Sequence, residues 1–118
     1  MAGRHRKKRD DRGAVTVEMA IALSTFLIVL GMVLYCLAAA ADQVRCLDAA
    51  REAARQAARG EPEQARNAAA RIAPAGAQIT ISTQGAHIHV DVRAAPAGGV
   101  LPGMRLHAQA FAVREPTE

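Results

Sequence analysis

Three sets of residues in this chain have side chains that can do chemistry. His87, His89 and Asp91 alternate along one segment, and His107 lies further on. These are metal-ligand types, and at i, i+2, i+4 they share one face of a strand. An alternating strand must nevertheless present something polar on its open side, so a solvated strand face accounts for the same letters. The cysteines form the second set. Cys36 and Cys46 are ten residues apart, about 15 Å along a helix, too far to bridge within it. Cys36 reads as a small apolar filler. Cys46 lies on the outer side, where an intermolecular disulfide is the less favoured of its alternatives. The third is Glu18, a single carboxylate directly ahead of a long apolar run. A charge there is costly, about 2.5–3.5 kcal/mol at the centre of a membrane helix and less near the interface, so it calls for a cationic partner. Its simplest placement is at headgroup level beside Arg12. No Ser/His/Asp arrangement, Gly-rich phosphate loop, His-Glu-x-x-His or Cys-x-x-Cys occurs; we read the chain as a non-enzyme without a cofactor.

The element that positions Glu18 is the run itself. Met19 to Ala41 contains 23 residues without a charge. As a helix it measures about 35 Å, enough to cross a hydrocarbon core of about 30 Å. A chain of 118 residues is too small to surround so long an apolar helix with protein. The net charge of +4 is confined to the front: residues 1–13 hold Arg4, Arg6, Lys7, Lys8, Arg9 and Arg12 against Asp10 and Asp11, and the remainder is balanced. A basic nucleic-acid-binding domain is thereby excluded. The basic flank instead sets orientation, with residues 1–13 cytoplasmic and the chain beyond Ala41 outside.

The stretch Arg12-Gly13-Ala14-Val15-Thr16-Val17-Glu18-Met19-Ala20 resembles the class III signal of type IV pilins and pseudopilins. Within that superfamily the opening and layout are most similar to TadE-like pseudopilins of the tight-adherence (Flp-type) pilus system. The resemblance implies that a prepilin peptidase cuts after Gly13. Ala14 then becomes the N-terminus and Glu18 the fifth mature residue, whose carboxylate pairs with an N-terminal amine, its own or a neighbouring subunit's. Major Flp pilins carry Tyr after the glutamate and are much shorter; Met19 and the length here match a minor pseudopilin. The implied partners are the membrane, the prepilin peptidase, other pilin or pseudopilin subunits and the pilus assembly machinery.

Beyond the run, residues 42–59 continue the helix, with Asp42–Arg45, Asp48–Arg51 and Glu52–Arg55 as i, i+3 pairs. Val44, Leu47, Ala50, Ala54 and Ala57 form a narrow stripe for close packing. Gly60-Glu61-Pro62 ends this helix, and Glu63–Ala73 forms a short second one. Strands follow at 78–83 and 87–93 around a Gln84-Gly85 turn, with Ile79, Ile81, Ile88, Val90 and Val92 on one face. A third strand is expected near 106–113, after a Pro/Gly-rich loop. Either helix is able to cover the apolar face.

The expected fold is α+β: a long N-terminal transmembrane helix with an amphipathic extension, a short helix and a small three-stranded antiparallel sheet. Its organisation is a basic leader (1–13), a transmembrane helix (14–41), a helical extension (42–60) and an extracytoplasmic region (61–118). The expected function is that of a minor pseudopilin in the cell membrane or in an extracellular pilus, with Gly13, Ala14 and Glu18 as processing and assembly residues. The alternatives are an uncleaved single-pass accessory or scaffolding protein, a small domain secreted after a cut at Ala41, and an extracellular metal-binding module using His87 and His89.

Overall fold

Between Arg4 and Ala58 the chain contains no proline and only two glycines, Gly13 and Gly31, and it forms one α-helix, α1 (Arg4–Ala58), over that whole length. The computed structural model describes residues 4–116, and side chains from residue 10 onward; the rest of the expected leader, residues 1–3 and the side chains of 4–9, lies outside the described residues. The helix begins inside the leader, since arginine and lysine are good helix formers and nothing before Gly60 caps or breaks it. Gly60, at φ +85°, and Pro62 then end it and start α2 (Pro62–Ile72), within a residue of the expected bounds.

The chain divides into two compact units, Met1–Cys36 and Leu37–Glu118. In the first, the apolar side chains of α1 have no protein cover; Phe26, Ile28 and Met32 are each more than half exposed. Its hydroxyls are satisfied locally: Thr16, Ser24 and Thr25 donate to the carbonyls of Arg12, Ala20 and Ile21 at 2.8–2.9 Å. Among the described residues, one helix is long and apolar enough to cross a membrane.

The second unit is the α+β body. Strands β1 (Gln78–Gln84), β2 (His87–Ala94) and β3 (Leu106–Val113) form an antiparallel sheet in that order. The β1–β2 hairpin turns on Gly85-Ala86, one residue later than expected. Gly85 has φ +61° and Ala86 a negative φ, the pattern of a type II′ turn. Ile88, Val90 and Val92 of central β2 are fully buried, flanked by Ile79, Ile81, Ala108 and Ala110 on the same face.

Both helices cover this face: α2 supplies Ala65 and Ala69, and α1 supplies Cys46, Ala49, Ala50, Ala53, Ala54 and Ala57. The stripe expected on α1 is therefore partly right: Ala50, Ala54 and Ala57 are buried as expected, but Val44 is exposed and Leu47 half-buried, and Cys46, Ala49 and Ala53 join the buried face in their place. Branched residues on the sheet need small ones opposite for the layers to close, and the smallest side chains of α1 lie on that side. Burial of Cys46 also removes the alternative of an intermolecular disulfide, because a partner thiol has no access to it. Burial, and then the charge of Asp42, push its thiol above the usual range, away from the reactive thiolate. Of the expected ion pairs, Glu52–Arg55 (2.7 Å) and Asp42–Arg45 (3.8 Å) form, and Asp48–Arg51 does not.

Candidate functional site

Gly13 lies in the interior of α1 with ordinary helical backbone, and a Cβ built on it meets nothing within 4 Å. Neither a turn nor a close approach requires glycine there, and in a helix interior it costs about 1 kcal/mol relative to alanine. Gly13 is therefore a weak position within the helix.

Glu18 stands one helical turn beyond Ala14. Gly13, Ala14, Val17, Glu18, Ile21 and Ala22 line one open groove on the helix surface. The small residues at 14 and 22 leave the carboxylate unshielded along the helix axis. Glu18 makes no hydrogen bond or ion pair among the described residues. Pairing with Arg12, the simplest placement, does not occur: six positions apart, the two side chains are about 120° apart around the axis. Ala14 and Glu18, four positions apart, thus share one face, with Gly13 at the flank of the same groove, and among the described residues Glu18 has no cationic partner.

The histidine set is divided. His87, His89 and Asp91 do share the open face of β2, as alternation requires. His89, however, stacks on Phe111 of β3, with ring centroids 4.7 Å apart. Asp91 Oδ1 sits 2.8 Å from His107 Nε2, and Arg93 donates to Asp91 Oδ2 at 3.4 Å. Among the described residues no three His, Cys, Asp or Glu side chains converge as a metal site would need.

Burial pushes the Asp91 carboxyl up, but hydrogen bonds and charge from His107 and Arg93 outweigh it and hold the group below the usual carboxylate range. A depressed carboxyl adds stability above its unfolded pKa and loses it as pH falls through the folded one. Asp91→Asn is therefore expected to melt below wild type at neutral pH, with the gap closing as pH falls below about 4. Thermal unfolding of the two chains across that range checks this; a gap that does not narrow refutes the pairing.

Residue spacing did not disclose the contacts that tie the β2–β3 loop and the start of β3 to α1. Asp42 Oδ2 accepts the N–H of Ala97 at 2.9 Å, and Gln43 Nε2 donates to the carbonyl of His107 at 3.1 Å. Both join residues more than fifty positions apart.

No protein-family model matches the chain, and no solved structure does. A Mycobacterium tuberculosis (strain ATCC 25618 / H37Rv) protein named Apoptosis inhibitor Rv3655c is 40% identical over 100 residues, covering 85% of this chain and 78% of that protein. Its name does not denote an enzyme. At that identity and coverage, this chain belongs to the same family as the mycobacterial protein.

Proposed function

We propose that the chain is a TadE-like minor pseudopilin. In this reading α1 inserts into the cell membrane with the basic leader on the cytoplasmic side. A prepilin peptidase cuts after Gly13, and the mature chain assembles with other pilin-like subunits and the pilus assembly machinery of a tight-adherence system. The observation that carries the reading is the pair Gly13 and Glu18: a glycine that the helix does not require, and a carboxylate, five residues on, with no partner among the described residues.

Cutting after Gly13 supplies the missing partner. It creates an α-amino group at Ala14, about one turn from Glu18, and at neutral pH most of that amine is protonated. Close to hydrocarbon, where screening by water is weak, such a pair holds far better than in solution. The same amine on a neighbouring helix satisfies Glu18 between subunits and sets their stagger. The apolar side chains of the first unit suit lipid before assembly and neighbouring helices after it. Because Ser24 and Thr25 bond their own helix, the run enters hydrocarbon without an unpaired hydroxyl.

The mature N-terminus tests this. Intact-mass measurement and N-terminal sequencing of the membrane-extracted protein are expected to show a start at Ala14. An intact chain favours an uncleaved single-pass accessory or scaffolding protein. A second reading takes the activity in the mycobacterial relative's name, apoptosis inhibition, as this chain's own, in a released outer domain. It expects a start near Ala41 or Asp42, so one measurement separates all three.

A further inference from the structure

The loop between β2 and β3 is built unlike the rest of the second unit. Pro96 is buried, yet Val100, Leu101 and Met104 are 72%, 49% and 54% exposed. Ala97 adopts a left-handed conformation (φ 47°, ψ 44°) that a residue with a Cβ rarely takes. The contact holding it is Asp42 Oδ2, which accepts the Ala97 N–H, and Gln43 holds the far side through the His107 carbonyl. Asp42 and Gln43 are the first two residues after the apolar run. A cleft of about 280 Å³ is lined by Arg93, Arg105, Leu101 and Met104, among others, and no lining residue is acidic. Arg105 makes no hydrogen bond or ion pair among the described residues, and Arg93 has only the 3.4 Å contact to Asp91.

We propose that this loop is a membrane-contact surface. Val100, Leu101 and Met104 enter the interfacial layer of the leaflet in which the apolar run ends, and Arg93 and Arg105 bind the phosphates of anionic phospholipids there. The inference rests on the membrane-inserted reading of residues 19–41. A run of about 35 Å in a core of about 30 Å brings Asp42 and Gln43 to headgroup level. A loop bonded to Asp42 at Ala97, and leading into a strand whose His107 is bonded to Gln43, lies within their reach of the same level. There the exposed apolar residues find the acyl boundary, the arginine stems lie along it and the guanidinium heads meet phosphate. The strain at Ala97 then has a purpose, since it holds these residues out of the core.

The chain contains no tryptophan, so a single introduced Trp reports its own surroundings. The full chain is reconstituted in phosphatidylcholine vesicles, with and without phosphatidylglycerol, with part of the lipid brominated to quench nearby Trp. Leu101→Trp, or Val100→Trp in its place, is expected to emit to the blue and lose most of its emission to brominated lipid. The loss is expected to be larger with phosphatidylglycerol, and this increment to vanish when Arg93→Gln and Arg105→Gln are added. Phe111→Trp, on the open sheet face near the hairpin end, is expected to stay unquenched. Leu27→Trp, in the middle of the run, reports insertion separately. A quenched Leu27→Trp beside an unquenched Leu101→Trp overturns the loop surface and leaves the insertion standing. An unquenched Leu27→Trp overturns both. Quenching at Leu101→Trp that ignores anionic lipid and the two arginines overturns the headgroup role.

Discussion

Gly13→Trp is expected to reach the membrane at full length and to remain uncut, whereas the wild-type chain is expected to lose residues 1–13. The fold supplies no other cause for such a result. Position 13 is interior helix with open space around the missing Cβ, so a large side chain there displaces nothing, and removing a helix glycine relieves its conformational cost. The basic residues that orient insertion are untouched. What changes is the shape presented to a peptidase that must bring its catalytic groups against the backbone after residue 13, where only a missing side chain permits close approach. Intact mass of the membrane fraction reads the outcome directly, and Gly13→Ala tests how much bulk the enzyme tolerates. Unchanged cutting of Gly13→Trp refutes the processing mechanism, because neither altered helix stability nor altered orientation would have masked a loss.

The elements of this fold announce themselves locally. Gly60-Glu61-Pro62 marks the end of α1 and the start of α2 within a residue, and the alternation of 78–83 and 87–93 gives both the strands and their buried face. Those signals are written in neighbouring residues. The buried face of α1 is not: an alanine-rich helix has small apolar residues on several sides, and the choice of Cys46, Ala49 and Ala53 over Val44 is made by the sheet it meets. Asp42 has a nearby arginine at the expected spacing, yet its shorter contact is with Ala97, 55 residues away. Asp91 likewise pairs diagonally with His107, facing Gln109 in the register, which split a set of histidines that looked uniform in one dimension. The candidate site is the reverse case. Gly13 and Glu18 are singled out by spacing and resemblance alone, and the partners proposed for them, a peptidase and an amine, belong to a process and not to the packing of one chain.

Val90→Asp is expected to unfold the second unit while leaving the cut after Gly13 intact. Val90 has no exposed surface and lies in central β2, opposite Ile81 on one side and Ala110 on the other, under the alanines of both helices. No polar or charged side chain is buried among the described residues, so a carboxylate there finds no partner. An unpaired buried charge costs several kcal/mol even after relaxation, and taking up a proton instead still buries an unsatisfied polar group. A small domain with an alanine-lined core sits near the low end of the usual 5–15 kcal/mol of stability, so this one change consumes most of it. Phe111→Asp, the same chemistry on the open face at 75% exposure, is expected to shift stability by no more than about 0.5 kcal/mol. Limited proteolysis of the detergent-solubilised chains is expected to degrade residues 42–118 in Val90→Asp and to spare them in Phe111→Asp, with both chains starting at Ala14. A protease-resistant Val90→Asp would place the core elsewhere. A Val90→Asp chain that unfolds and also stays uncut would mean that the peptidase requires the folded outer unit, since the leader, Gly13 and Glu18 are identical in all three chains.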